Sequence, residues 1–187
     1  MILPFDELNN IMSQIEEVSF DVTVDGKTVR RFNVDKCVDI VLDALIMAYV
    51  YGVDYANETL GANIPPTKEA MRKAIYKKVA DKDFEQRIRE YAEEGSKEKI
   101  QRVVETDMTR VFNEGSMSAA NKAGAKTKTW LTMLDDRVRD THSYLEGQTI
   151  PIDAEFYTFD GDHALTPGEF MMAENNVNCR CILSYSM

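Results

Sequence analysis

Apolar positions near the N-terminus follow a helical period and then change to the alternation that is typical of β-strands. Five of them share one helical face and predict an amphipathic helix that ends near Val18: Phe5, Leu8, Ile11, Met12 and Ile15. Alternating residues at 20–24 and 29–34 predict two strands, and the Asp25-Gly26 pair between them favours a tight hairpin turn. Because a two-stranded hairpin is barely stable alone, we expect it to pack on helices.

Four more helices are predicted in the middle of the chain, where apolar residues recur every three or four positions. The first is strongly apolar, and the other three carry charges of both signs. Their predicted ranges are 35–57, 67–80, 83–94 and 96–122. The last range contains Asn, Glu, Gly and Ser at positions 113–116, and the low helix propensity of this run predicts a bend or a weak point.

The C-terminal third has a different character, because helical periods fade after Gly124 and β-prone segments appear at 149–152, 155–159 and 180–185. A break with two prolines at 61–66 marks the other change of pattern. The sequence therefore predicts an α+β fold in two parts. These parts are a helix-hairpin-helix segment, 1–62, and a second segment, 63–187, with helices at 67–122 and a small β-rich module at 124–187.

Composition and charge narrow the functional classes. The chain has 187 residues, 44% of them apolar, without a run of about eighteen apolar residues or a secretory signal, so we expect no membrane contact. A formal net charge of −10 argues against a nucleic-acid coat, which depends on Lys and Arg contacts to phosphates. Three cysteines form no disulfide framework and indicate synthesis in a reducing compartment.

The residues with chemical potential lie near the C-terminus. Cys179 and Cys181 are two apart, so on a strand both sulfur atoms face one side and could bind one metal ion. His142 and Asp136 would complete four ligands, and zinc suits this mixture of sulfur, nitrogen and oxygen. The alternative is that both thiols are buried and reduced, while His142 hydrogen-bonds to a backbone carbonyl.

The charged residues before this histidine predict a helix with ion pairs. A helix that runs from Trp130 places Arg139 one turn from Asp135, and Asp140 one turn from Asp136. The simplest interpretation is therefore an ion-pair cluster on a helix surface.

A catalytic interpretation also stays open. His142 could act as a general base with Cys179 or Ser143 as nucleophile, or it could join His163 and the acids in a nuclease-like metal centre. The chain has no phosphate-binding glycine loop, nucleophile elbow or His-Glu-x-x-His motif, which favours a role without catalysis. The loop around His163 has the Gly and Pro residues of an exposed turn.

Several residues of the C-terminal half occur in a recognisable order and spacing: Trp130, the run Asp136 to His142, Gly147-Gln148, Phe156, Pro167 and the run Asn178 to Cys181. With the preceding segment from Thr106 to Lys128, this order resembles the phage Mu F-like family of minor head proteins. The resemblance covers about residues 103–183. The family's Arg-Thr-Glu is not reproduced, because the chain reads Val-Glu-Thr-Asp at 104–107.

The resemblance implies a structural minor capsid protein that acts in head morphogenesis of a tailed bacteriophage. Such a protein associates with the portal protein, with the major capsid or a scaffolding protein as further candidates, and stays inside the virion head. It would be made in the host cytoplasm, bind no membrane, read no specific nucleic-acid sequence and have no enzymatic activity. The competing hypothesis is a metal-dependent nucleic-acid enzyme or toxin-like effector that uses His142.

The resemblance also implies a residue cluster that holds the C-terminal module together, with zinc as a structural staple at His142, Cys179, Cys181 and Asp136. The cluster consists of Trp130, Asp136, Arg137, Arg139, His142, Gly147, Asn178 and Arg180. We expect the N-terminal helical part, with its stripe from Phe5 to Ile15 and its apolar helix at 38–53, to dock on the portal protein or to form a homo-oligomer.

Overall fold

The computed structural model describes residues 7–187 and has the predicted α+β organisation. Phe5, part of the predicted first helix, lies outside these residues. The helices are α1 (Leu8–Glu17), α2 (Val34–Leu60), α3 (Lys68–Ile75), α4 (Phe84–Glu94), α5 (Lys97–Ala123), α6 (Asp140–Ser143) and α7 (Ala173–Asn176). The strands are β1 (Ser19–Val24), β2 (Lys27–Phe32), β3 (Thr127–Leu131), β4 (Thr149–Pro151), β5 (Phe156–Tyr157), β6 (His163–Ala164) and β7 (Ile182–Ser186).

Local capping signals set several helix boundaries. The Asn33 side chain accepts a hydrogen bond from the backbone N–H of Lys36 at the start of α2, and Gly61 ends that helix in the left-handed conformation. Asp83 and Gln86 form a reciprocal capping box at the start of α4. These signals explain why the predicted and observed ends of α2 and α4 lie close together.

Helix α3 ends at Ile75, earlier than the predicted residue 80. The chain then makes a tight turn in which Val79 pairs with Lys82, and both Ala80 and Asp81 have positive φ. Two consecutive left-handed residues cannot continue a right-handed helix. The helical pattern of the sequence carries no glycine or proline here to reveal this turn.

Helices α2 and α5, each of 27 residues, pack along one another and form the main body of the fold. Gly52 of α2 lies against the carbonyl group of Phe112, and Gly115 of α5 lies against that of Tyr49. A Cβ atom at either glycine would overlap the carbonyl oxygen, so the absence of a side chain permits the close approach. Helix α5 is continuous through this crossing, and the expected weak point at 113–116 is not observed.

The strands form a hairpin and small antiparallel sheets. Asp25 and Gly26, with φ of 50° and 74°, are the turn residues of the predicted β1–β2 hairpin. Strands β4, β3 and β7 form a sheet in that order. Trp130 lies in β3, so the helix predicted to run from this residue is wrong. Residues 127–131 alternate between buried and half-buried positions and pair with β7, and this packing overrides the helical spacing of the charges that follow.

One hydrophobic core joins the N-terminal helices to the C-terminal sheet. Helix α1 buries Ile11, Met12 and Ile15 in it. Cys37 of α2 is also fully buried, and burial raises the pKa of its thiol to about 11. The division of the chain at residue 62 stays a prediction. Helices α2 and α5, which lie on either side of it, contribute to one core. No helix within residues 7–187 has the length and apolar character needed to span a membrane.

Candidate functional site

Three of the four predicted metal ligands meet in the C-terminal module. The Nδ1 atom of His142 lies 3.6 Å from the Sγ atom of Cys179 and 3.4 Å from that of Cys181. The three ligand atoms lie within 4.8 Å of one another, and all three residues are buried. In the part of the chain that the structure describes, this is the one group of His, Cys, Asp and Glu that could hold a metal ion.

The spacing of these atoms fits a tetrahedral metal site. With metal–sulfur bonds of about 2.3 Å and metal–nitrogen bonds of about 2.0 Å, a nitrogen and a sulfur ligand lie about 3.5 Å apart. The two observed distances fall on either side of this value. The cavity beside the ligands has a volume of about 10 Å³, close to the room that a single water needs, so a fourth ligand must be small.

The two thiols titrate as a pair. A hydrogen bond from Cys181, together with the imidazole of His142, lowers the pKa of Cys179 well below its ordinary value. The hydrogen bond and charge of Cys179, together with burial, raise the pKa of Cys181. The lowered pKa of Cys179 favours its thiolate, which is the form of cysteine that binds a metal ion.

Aromatic rings hold the imidazole of His142 in place. Phe170 stacks on it with ring centroids 5.3 Å apart, and Trp130 meets it edge-on at 5.5 Å. His142 is only 1% exposed, and its Nε2 atom has no hydrogen-bond partner within the described residues. The expected hydrogen bond to a backbone carbonyl is thus not observed. A buried imidazole suits a structural ligand better than a general base, which must reach its substrate.

A polar stripe on α5 supports the cysteine segment, and sequence reasoning did not find it. The hydroxyl of Thr106 accepts a hydrogen bond from the backbone N–H of Asn178 at 3.1 Å. The side-chain amide of Asn113 donates to the backbone carbonyl of Cys181 at 3.0 Å. Thr106 and Asn113 are both buried and are seven positions apart, which puts them on one helical face. Polar residues at this spacing among the apolar positions of α5 were the available signal.

A buried carboxylate orders the loop next to His142. Asp162 accepts hydrogen bonds from the backbone N–H groups of residues 171–172 and from the side-chain amide of Asn175. Asn175 in turn accepts from the hydroxyl of Thr141, one residue before the ligand. Burial alone would raise the pKa of Asp162, but its hydrogen bonds hold it below the ordinary value. The exposed turn expected here is wrong for Asp162, which is 2% exposed and bonded to groups 9 to 13 positions later in the chain.

The arginines of the predicted cluster have separate partners. Arg139 donates to the backbone carbonyl of Val177 at 2.7 Å. Arg180 forms a bidentate ion pair with Asp135 at 2.7 and 2.8 Å. The side chain of Arg137 is exposed, while its backbone N–H donates to Asp135 at 3.1 Å. Two of the three arginines therefore tie the segment before α6 to the segment that leads into β7.

Asp136 is exposed and does not belong to the group of metal-ligating atoms, so its expected role as fourth ligand is not supported. The expectation relied on a helix through residues 130–142. That helix is absent, and Leu134 has a positive φ of 53°, which redirects the chain. The neighbouring Asp135 contributes to the local structure instead, because its carboxylate forms an ion pair with Arg180.

The two remaining cluster residues shape the backbone. Gly147 has a φ of 73° and donates its N–H to the carbonyl of Trp130 at 2.9 Å. Asn178, with a φ of 56°, adopts the left-handed conformation directly before Cys179. Both positions let the chain turn next to the buried Trp130 and the ligands.

Of the residues named in the catalytic hypothesis, the structure brings together His142 and Cys179, at 3.6 Å, and both are buried. His163 and Ser143 do not join them. His163 lies in β6, stacks on Tyr157 and is outside the metal-ligating group. Its Nε2 atom lies 3.8 Å from a carboxylate oxygen of Glu155. In residues 7–187, no side-chain hydrogen bond joins Ser143 to His142.

Lys128, also in this module, gives a prediction for pH dependence. Its side chain is fully buried and donates to the carbonyl of Leu165 at 2.8 Å, and burial lowers its pKa from 10.5 to about 8. Between these two values the unfolded chain binds more protons than the folded chain, so stability contributed by Lys128 rises with pH. From pH 7.5 to 9 the free energy of unfolding should gain about 1 kcal/mol relative to Lys128→Met.

Urea unfolding at both pH values measures this difference. The exposed Lys126 provides the matched control, because Lys126→Met should leave the pH dependence of the native protein unchanged. Equal pH dependence in Lys128→Met and the native protein would contradict the assignment.

Comparison with known proteins identifies the family. The profile described as "Phage Mu protein F like protein" matches residues 67–184, more than half of the chain. The chain belongs to this family. The match confirms the resemblance that begins near residue 103 and extends it toward the N-terminus as far as α3.

Two curated proteins are similar to this Mu F-like chain. Minor head protein GP7 of Bacillus phage SPP1 is 26% identical over 212 aligned residues, which include 95% of the chain and 68% of GP7. NAD(+)--arginine ADP-ribosyltransferase EFV of Enterococcus faecalis is 34% identical over 92 residues, but these include 47% of the chain and only 19% of EFV. No solved structure matches significantly. The profile assigns the chain to a family of phage proteins, and the match with EFV covers too little of that enzyme to assign its activity to this chain.

Proposed function

We propose that this Mu F-like chain is a structural minor head protein of a tailed bacteriophage, which associates with the portal protein during head assembly and stays inside the head. The observation that carries the proposal is the match with GP7, a protein named as a minor head protein, over 95% of this chain and 68% of GP7. The buried His-Cys-Cys group agrees with a structural role, because a substrate could not reach it.

We propose zinc as the ion of the metal centre. His142, Cys179 and Cys181 supply one nitrogen and two sulfur ligands at tetrahedral spacing, and a water fits the remaining position. A bound zinc ion would cross-link α6 to the segment before β7. The chain's own contribution is to hold the histidine between Phe170 and Trp130 and to keep the ligands buried.

We propose the outer face of α2 as the surface that docks on the portal protein. The apolar stripe of α1 is not available for this role, because its described core positions are already buried. Asp39, Asp43, Ile46 and Asp54 are exposed on α2, and within the described residues none of these three acids forms an ion pair. A helix face with an apolar centre and acidic ends favours a partner surface with the opposite charge.

Co-purification with the portal protein of the same phage tests this surface. The triple variant Asp39→Lys, Asp43→Lys and Ile46→Lys should weaken the complex at least about tenfold, because charge reversal opposes both encounter and binding. A matched control reverses equivalent exposed positions elsewhere: Glu93→Lys, Glu174→Lys and Met171→Lys. Equal binding by both triple variants would reject the α2 face as the docking surface.

A further inference from the structure

The C-terminal module exposes an unusual group of aromatic rings. Tyr144, Tyr157 and Phe159 are 55%, 59% and 61% exposed, although aromatic side chains usually provide buried area. Tyr144 meets Phe159 edge-on with centroids 5.9 Å apart, and Tyr157 stacks on His163 at 5.4 Å. Tyr157 and Phe159 flank the buried Thr158, so both rings point to the outer side of an extended segment. We call these four rings the aromatic strip.

Negative charge surrounds the aromatic strip. Asp153, Glu155 and Asp160 are exposed, and within residues 7–187 none of them pairs with a lysine or arginine. Carboxylates and ring faces both attract Lys and Arg side chains, through ion pairs and cation–π contacts. The same charge repels the phosphates of nucleic acid. The strip is therefore suited to a protein surface that carries cations.

Such a surface occurs on the same chain. Lys68, Arg72 and Lys73 on α3, and Lys78 just after it, are exposed, and none has an acidic partner in the described part of the protein. Tyr76 lies among them and is 38% exposed. We call the four basic residues the cationic face. Four unpaired cations on one short segment are conspicuous in a chain with a net charge of −10.

The cationic face also has room for inserted side chains. Lys68, Arg72 and Lys73 border an open groove of about 1040 Å³ between α3, α5 and the loop at 165–169. Met117 and Leu165 give this groove apolar walls. Glu69, Glu114 and Glu169 also line the groove, but the last two pair with Lys77, so its border keeps an excess of positive charge. A groove with apolar walls and this excess of positive charge complements a strip of aromatic rings with an acidic rim.

We propose that the aromatic strip of one copy binds the cationic face of a second copy of this chain. Tyr157 and Phe159 contact the groove, while the acids around them pair with the cations of α3. Aromatic residues and arginine are the usual energetic centres of protein interfaces. Because the two surfaces differ, the contact either closes reciprocally in a two-fold dimer or repeats from copy to copy. This inference does not depend on docking to the portal protein.

Sedimentation equilibrium of the full chain tests the proposal. From about 1 to 200 µM, a range in which weak interfaces associate, the average mass should rise above the 21.3 kDa of one chain, and about 1 M salt should reverse the rise. Tyr157→Ser with Phe159→Ser should raise the dissociation constant at least about tenfold. Lys68→Glu, Arg72→Glu and Lys73→Glu together should do the same.

Two matched controls separate this contact from general surface effects. Phe20→Ser with Leu134→Ser removes two other exposed apolar side chains, and Lys27→Glu, Lys36→Glu and Lys126→Glu reverse three exposed cations elsewhere. Both controls should associate like the native chain.

Mixing two charge-reversed variants gives the sharpest test. A variant with Asp153→Lys and Glu155→Lys should not self-associate, yet it should bind the variant whose α3 cations are reversed, because each then offers the other an opposite charge. A chain that stays monomeric at every concentration would overturn the proposal. Equal weakening by the control variants, or no rescue on mixing, would also overturn it.

Discussion

The double substitution Cys179→Ser and Cys181→Ser should abolish metal binding and destabilise the fold strongly. Protein purified without chelator should carry about one zinc ion per chain, and the double variant should carry none. The expected loss in the free energy of unfolding is about 5 kcal/mol, below the roughly 10–16 kcal/mol of zinc-finger peptides, because this fold has a large core of its own. Elemental analysis and thermal unfolding measure the two effects.

The third cysteine provides the control for this experiment. Cys37 is fully buried in α2 and is not part of the metal group, so Cys37→Ala should retain the metal and cost about 1 kcal/mol. Chelator treatment should lower the stability of the native protein and of this control alike. A native protein that contains no metal and unfolds at the same temperature as the double variant would disprove the metal centre.

Gly52→Ala and Gly115→Ala should each destabilise the protein by about 3 kcal/mol. At an exposed position inside a helix, replacing glycine with alanine would instead stabilise the protein by about 1 kcal/mol. Here the new Cβ atom would overlap the carbonyl oxygen of Phe112 or Tyr49, so α2 and α5 must separate and their shared core must loosen. Urea unfolding measures the change in free energy.

The substitution Gly124→Ala is the control, because it replaces a glycine by alanine without bringing two helices into steric overlap. Gly124 ends α5 with a φ of 84° and has open space around it, so alanine there should cost only about 1–2 kcal/mol of backbone strain. If the two crossing variants proved as stable as the native protein, the close packing of α2 on α5 would be refuted.

Local patterns predicted much of this fold because local interactions determine those parts. Apolar periods located the five long helices, and the Asp25-Gly26 pair located the hairpin turn. The two cysteines and the histidine that could hold a metal ion were predicted from their chemistry and from the family resemblance. In the structure, Asn33 and Asp83 cap α2 and α4, and both helices begin within a residue or two of the predicted starts.

The errors come from interactions between distant residues. Asp135 was assigned to a local ion pair with Arg139, but its partner is Arg180, 45 positions away. Asp162 looked like part of an exposed turn, since the groups that bury it come from a later segment. Thr106 belongs to the same class, because its role depends on Asn178. Such contacts cannot be predicted from the local periodicity or spacing of residues in a single sequence.

Quantitative mass spectrometry of purified procapsids and mature heads, from the phage that encodes this chain, tests the central claim most directly. A minor head protein that stays in the head interior should be present in both particles, in several copies and well below the number of major capsid subunits. Absence from both particles would contradict the proposed function. Presence in procapsids alone would contradict retention in the head.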